Sequence, residues 1–260
     1  MGALEHPPIF RLPAIHAFGR VFGPPPDHVT YTWIAMIILV GVAFVASRRL
    51  ELVPRGLQNF MEVVLEQFVT LLDDVIGHDG RKYLPLIATL GLFILVSNLM
   101  GLIPGLIAPT ANLNTTAACA LIVFFTYHAI GIRKQGLVAY AKHFMGPVAW
   151  LAPLMVPIEL VSHFARPLSL SLRLFGNMTG GHILLAVFVF LMGFDGMLGW
   201  ALSGSVGGIL LGAPVALVML LFTVGFLYPL KILVAFLQSF IFAMLSMLYI
   251  AGALEEAEHH

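Results

Sequence analysis

Apolar residues gather into five long runs separated by short polar segments. The runs lie at Val29–Ala46, Tyr83–Ile103, Asn114–Ile132, Val156–Met192 and Val206–Ile250. A helix needs about 20 residues to cross a bilayer. The first three runs suit one crossing each. The last two exceed that length, so each must tilt strongly, kink or break. Pro167, Pro214 and Pro229 offer places to bend. A different pattern fills Leu57–Ile76. There Leu57, Phe60, Val64, Phe68 and Leu71 recur at helical spacing, with Glu62, Glu66, Asp73 and Asp74 on other faces. This predicts an amphipathic helix lying on the cytoplasmic surface, or else a plain connecting helix. No internal repeat is evident. The predicted fold is an all-α integral membrane protein with about five membrane-embedded helices and one surface helix.

Composition supports the membrane assignment. Of 260 residues, 60% are hydrophobic and 10% charged. A soluble domain carries about a quarter charged residues. This chain cannot cover itself with a polar surface. Its net charge near zero argues against nucleic acid as a partner. The lone Cys119 excludes an internal disulfide and reads as a small packing residue. The first run follows Pro24-Pro25-Pro26-Asp27 and precedes Arg48 and Arg49. That reverses the order of a signal peptide, so the run is expected to stay as an anchor.

Lys and Arg set the orientation. Arg48, Arg49 and Arg55 follow the first run, Arg81 and Lys82 precede the second, and Arg133, Lys134 and Lys142 follow the third. These loops belong on the cytoplasmic side. Pro104–Leu113 contains no Lys or Arg and belongs outside. Five crossings then leave the N-terminus outside and the tail Glu255-Glu256-Ala257-Glu258 inside. Arg11 and Arg20 run against the rule but are outnumbered.

Candidate chemistry centres on Arg173, within Ser169-Leu170-Ser171-Leu172-Arg173-Leu174-Phe175-Gly176-Asn177-Met178. A guanidinium keeps its proton in such surroundings. At membrane depth it costs at least ~3 kcal/mol unless a partner or a water-filled cavity answers it. On a helical wheel centred on Arg173, Ser162 falls at about −20°, Arg166 at about +20° and Ser169 at about −40°. Glu159 and Asn177 fall at about +40°, Gly180 at about −20° and His163 at about +80°. A polar stripe therefore runs along one face. Such stripes line water paths or meet charged partners, although Glu159, His163 and Arg166 could instead snorkel to the headgroups. Gly176, Gly180 and Gly181 allow close approach of another helix or a neighbouring subunit. His182 falls at about 180°, off the Arg173 face. Lys231, Gln238 and Tyr249 share a face in the last run. A buried lysine can exchange protons near neutral pH, whereas Gln238 can serve as an interhelical hydrogen-bonding residue. Met244–Met247 reads as packing.

Other polar residues carry weaker signals. Ser97 and Asn98 lie in the second run. Asn112, Asn114, Thr115 and Thr116 read as a helix cap and turn. Asp195, in Gly193-Phe194-Asp195-Gly196, reads as a turn residue that could face outside and collect cations. There is no phosphate-binding loop ending in Lys-Ser or Lys-Thr, no His-Glu-x-x-His and no Gly-x-Ser-x-Gly. No cofactor or metal is called for.

The run Pro167-Leu168-Ser169-Leu170-Ser171-Leu172-Arg173-Leu174-Phe175-Gly176-Asn177-Met178 closely resembles the signature of subunit a of bacterial-type rotary (F-type) ATP synthase. Asn98-Leu99-Met100-Gly101-Leu102-Ile103-Pro104-Gly105, Pro109–Thr116 and Leu237-Gln238-Ser239-Phe240-Ile241-Phe242-Ala243 agree with it, in the family's order. The resemblance implies a non-catalytic stator subunit in a bacterial inner membrane. Its partners would be a ring of c subunits bearing carboxylates, the b-subunit peripheral stalk, other ATP synthase subunits and the bilayer. It would provide two offset aqueous half-channels to the ring, with Arg173 keeping them apart. Asn177, His182, Lys231 and Gln238 match positions associated with the outer half-channel, and Glu159 and Ser162 match the cytoplasmic one. The last two runs would form a strongly tilted hairpin against the ring.

Residues 1–260 then make one membrane domain. It comprises an external segment (1–28), three spans with the amphipathic helix (29–150) and the hairpin (151–260). Where many relatives carry a Glu and His pair, this chain has His182 and Lys231. Either neutral His182 or water would replace a Glu relay. Two other classes fit the residues alone: a stand-alone ion channel or secondary transporter, and a structural scaffold.

Overall fold

The computed structural model describes residues 15–17, 20–22, 26–48, 50–103, 105–136, 140, 152–193, 196–203 and 205–255. Arg11, Arg49, Pro104, Lys142, Asp195 and the tail beyond Glu255 lie outside these residues. Near the N-terminus, β1 (Ile15–Ala17) and β2 (Arg20–Phe22) pair antiparallel, with Ile15 opposite Phe22. Among the described residues eight α-helices follow: α1 (Asp27–Ser47), α2 (Leu57–Val75), α3 (Leu84–Met100), α4 (Leu113–Gln135), α5 (Ala152–Met192), α6 (Met197–Leu202), α7 (Ala213–Phe222) and α8 (Tyr228–Glu255). Five helical stretches among the described residues are long and apolar enough to cross a membrane. Four of them match their sequence runs to within five residues at each end, whereas the fourth, Pro153–Leu202, reaches ten residues beyond Met192. The protein is an all-α integral membrane protein.

Local signals explain the helix ends. Asn112 caps α4, its side chain accepting the Asn114 N–H at 2.9 Å, as the sequence predicts. Gly136 ends the same helix at φ 83°, a left-handed conformation that favours glycine. The prolines act differently from one another. Pro157 and Pro167 lie inside α5, which runs through both without interruption. The last run instead contains two π-helical turns, Gly208–Gly212 and Thr223–Leu227. Each ends just before a proline. The Ala213 N–H bonds the Gly208 carbonyl ahead of Pro214, and the Tyr228 N–H bonds the Thr223 carbonyl ahead of Pro229. A helical proline lacks an N–H and its ring presses on the carbonyl four residues back. Widening the turn by one residue relieves that clash and keeps the helix continuous.

The core sits where α3, α4, α5 and α8 meet. Leu90 and Ile94 pack with Cys119, Ala120, Val123, Leu170, Leu174, Met178 and Phe242. Cys119 thus fills space, as expected. A second cluster joins Leu72 of α2 to Ile87, Tyr127, Ala243, Met247 and Ile250. α1 leans on α3 through Tyr31, Ala35 and Met100. Buried polar groups cross-link the helices. Ser239 donates to the Gly91 carbonyl at 2.6 Å, and Asn98 donates to the Ala235 carbonyl at 3.3 Å while accepting from Thr110 at 2.6 Å. In hydrocarbon each of these groups would otherwise lack a partner.

Gly91 is where three helices converge. A Cβ there would lie 3.0 Å from Phe68 of α2 and 3.6 Å from Ala243 of α8. Outside the bundle, Arg81 grips Asp73 with both carboxylate oxygens, at 2.9 and 2.6 Å. That fork ties the turn His78–Tyr83 to α2, and the Arg81 hydrogen bond holds the Asp73 carboxyl below its usual range.

Two outcomes are expected from thermal melts of the detergent-solubilised protein. Ser239→Ala removes one buried hydrogen bond and costs about 0.6 kcal/mol. Gly91→Leu overpacks the three-helix junction and costs about 1–3 kcal/mol, the larger loss. The Asp73 ion pair behaves differently with pH. Its folded-state pKa is depressed, so its stabilisation is present above the ordinary carboxyl range and fades as pH falls through the folded value. The pair is exposed, so Asp73→Asn lowers the melting point only slightly near neutrality. The difference from the parent protein shrinks in acid and in high salt.

Candidate functional site

α5 is a single helix, so its polar stripe is continuous. Leu170, Leu174 and Met178 turn inward to the core. Arg173 lies on the other side and is exposed. Its neighbours on that surface are apolar: Leu172 and Leu168 are 46% and 59% exposed. Among the described residues no carboxylate lies within ion-pair distance of the guanidinium. Ser169, Gly176 and Gly180 are exposed beside it. A Cβ added at Gly176 or Gly180 would meet nothing within 4 Å. The arginine therefore sits on a low, open, apolar surface that the described residues leave uncovered.

On one side of Arg173, α5 and α8 hold four sequence-predicted residues together. Asn177 donates to Gln238 Oε1 at 2.7 Å. Gln238 is buried, and its Nε2 has no partner among the described residues. Beside this pair lies a cavity of about 200 Å³ lined by Asn177, Gly181, Leu184, Leu227, Leu230 and Lys231, among others. Lys231 Nζ is 3.5 Å from His182 Nδ1. His182 stays off the Arg173 face, as the wheel predicts, yet α8 links it to Asn177 through Lys231 and Gln238. Two glycines make room. A Cβ at Gly101 would lie 2.7 Å from His182 Nε2, and one at Gly181 would lie 3.4 Å from Lys231 Cε. The glycine of the Asn98–Gly105 stretch is thus a close-approach position for the histidine ring.

Towards the start of α5 a second group assembles. Glu159 Oε1 lies 3.4 Å from His163 Nε2. His163 Nδ1 lies 3.2 Å from the Tyr127 hydroxyl of α4. The His163 ring is only 4% exposed, and His128 meets it edge-on at 5.3 Å between centroids. Arg166 stands over the Tyr249 ring at 5.7 Å. Snorkelling, the alternative the sequence leaves open, therefore does not describe His163, which is enclosed by aromatic rings. Glu159 and Ser162 are half-buried. Tyr127 and His128 were not singled out from the sequence, although the Glu159–His163 spacing places those two on adjacent turns. Between the two groups, Ser171 of α5 and Thr116 of α4 share a hydrogen bond at 3.1 Å. No set of three or more His, Cys, Asp or Glu among the described residues could hold a metal ion.

A permanent cation on an open face, with polar groups grouped to either side, suits the movement of charge. Comparison with known proteins points the same way. The family model described as ATP synthase A chain matches residues 29–251. ATP synthase subunit a 2 of Syntrophotalea carbinolica is 52% identical over 231 residues, covering 89% of this chain and 87% of that protein. ATP synthase subunit a of Geobacter sulfurreducens is 48% identical over 231 residues, or 89% of each chain. ATP synthase subunit a of Syntrophobacter fumaroxidans is 45% identical over 266 residues, covering 98% of this chain and 100% of its own length. With a family model spanning most of the sequence and similarity sustained from end to end, the chain belongs to the ATP synthase A chain family, as a multi-pass membrane subunit of that complex.

Proposed function

We propose that this subunit is the proton-translocating stator of the membrane sector, non-catalytic itself, with two offset aqueous half-channels leading to carboxylates on a rotating c-ring. One observation carries the reading. Among the described residues Arg173 is an unanswered cation on an exposed apolar face, beside glycines that leave the surface open. A mobile anion from another polypeptide meets that requirement. In this reading a ring carboxylate leaving lipid ionises opposite Arg173 and must be reprotonated before it re-enters. The fixed charge also blocks direct proton passage between the half-channels. A membrane potential supplies about 2.3 kcal/mol per charge per 100 mV to drive the cycle.

Asn177, His182, Lys231 and Gln238 are assigned to the outer half-channel, and Glu159 and Ser162 to the cytoplasmic one. The hydrogen bond between Asn177 and Gln238 and the neighbouring cavity support the first group. The Lys and Arg distribution supports an N-terminus outside and a C-terminus in the cytoplasm of a bacterial inner membrane. The length of the last two helical stretches supports a tilted hairpin along the ring. Exposed Leu57, Phe60 and Val63 on α2 support its lying on the membrane surface. A peripheral stalk of b subunits would anchor the residues 1–260 as one membrane domain.

The test uses the assembled enzyme in inverted vesicles. Arg173→Ala is expected to abolish ATP-driven proton pumping, whereas Lys231→Ala leaves a measurable fraction. Equal, complete loss in both, with assembly intact, would overturn the separation of roles. Persistence of coupled, proton-tight turnover in Arg173→Ala would overturn the reading itself. In the same assay Gly101→Val is expected to cut pumping, because the added side chain displaces His182 from Lys231. Retention of the parent rate would remove that contact from the outer pathway.

A further inference from the structure

We infer that His163 is a positioning residue for Glu159, its own ring held in place by Tyr127. This rests on the proposed part of Glu159 in cytoplasmic proton exchange. Both ring nitrogens face a polar group: Nδ1 faces the Tyr127 hydroxyl at 3.2 Å and Nε2 faces Glu159 Oε1 at 3.4 Å. Tyr127 and His163 are 2% and 4% exposed, so bulk water does not compete for these contacts. A carboxylate only accepts, so a neutral ring would present its Nε2–H to Glu159 and its Nδ1 lone pair to the Tyr127 hydroxyl, which can donate. The ring itself cannot swing away. It stacks on Tyr127 at 6.1 Å between centroids and meets His128 edge-on at 5.3 Å. A carboxylate held in this way keeps one place along α5 instead of sampling several rotamers. Carboxylate–histidine pairs elsewhere gain orientation from the group on the second ring nitrogen.

The neighbours make Glu159 the group being steered. Tyr127 is buried in the core cluster beside α2 and α8. Glu159 is half-buried at the surface of α5 and lies on the Arg173 stripe. Any exchange of protons with the aqueous side therefore occurs at the carboxylate, while the histidine and the phenol hold it.

The experiment measures ATP-driven proton pumping by the assembled complex in inverted vesicles, normalised to the amount assembled. Variants E159Q, H163L, H163Q, H163N and Y127F are compared. H163L is expected to lower pumping about tenfold, the worth of one hydrogen bond to a charged group. H163Q keeps an N–H at the Nε2 position and should restore most of the rate. H163N lacks that reach and should not. Y127F should fall between. E159Q lowers the rate, and adding H163L to E159Q should cause no further loss. If H163L does not assemble, the contrast between H163Q and H163N decides the matter. Rescue by neither amide, rescue by both, or an additive loss in the double variant would overturn the positioning role while leaving Glu159 in place. Full pumping by E159Q would overturn the role of Glu159, and the inference with it.

Discussion

The structure depends on a charge that cannot be neutralised and cannot turn inward. Arg173 keeps its proton in any protein environment. The inward side of α5 at this level is filled by Leu170, Leu174 and Met178, packed against α3 and α4. Rotating the helix to bury the guanidinium would expose those side chains and drive a cation into a dry core, where an unpaired charge costs several kcal/mol. The outward face offers the only other place. There the chain supplies no carboxylate among its described residues, and lipid alone would be a poor neighbour. The described part of the chain therefore leaves the charge without a polar answer on this face. The glycines beside it keep the surface open to close approach.

Two other features follow from keeping this face free. The core must be built from the remaining surfaces, so α4 and α8 pack against the opposite flank of α5 and against each other. Interhelical polar contacts tie α5 to these neighbours, in Asn177–Gln238, Thr116–Ser171 and Tyr127–His163. Those contacts fix how α5 is rotated. The same contacts that hold the bundle thereby hold Arg173 outward. Stability and site geometry are not separable in this protein.

Much of this was legible in the sequence because the signals are local. The five runs, the helix α2 and the Asn112 cap each follow from spacing within one segment. The stripe on α5 followed from helical periodicity alone. What periodicity cannot give is the distance between helices. That is why Tyr127 and His128, ordinary aromatics on an apolar helix, gave no sign of meeting His163. It is also why His182 looked isolated from Asn177 until α8 bridged them. The prolines marked possible bends but did not specify their form. Pro167 is absorbed in a continuous helix, whereas Pro214 and Pro229 each follow a widened turn. Sequence supplies the missing N–H; surrounding packing decides how the strain is relieved.

The Lys231–His182 contact shows how far residue chemistry constrains the proposed outer pathway. Two nitrogens 3.5 Å apart share at most one proton along the line between them. One must donate and the other accept. While the contact lasts, a charged Lys231 requires His182 to present the Nδ1 lone pair and to carry its proton on Nε2, against Gly101. A second proton on the ring would place two cations together and break the contact. The pair thus admits one excess proton and rejects a second, which is the opposite bias to a carboxylate–histidine pair. Under the proposed reading, a proton passing this pair would turn to the amides of Asn177 and Gln238, beside a cavity lined mostly by apolar side chains. In that reading Lys231 and His182 set the local potential, and the amides define the path.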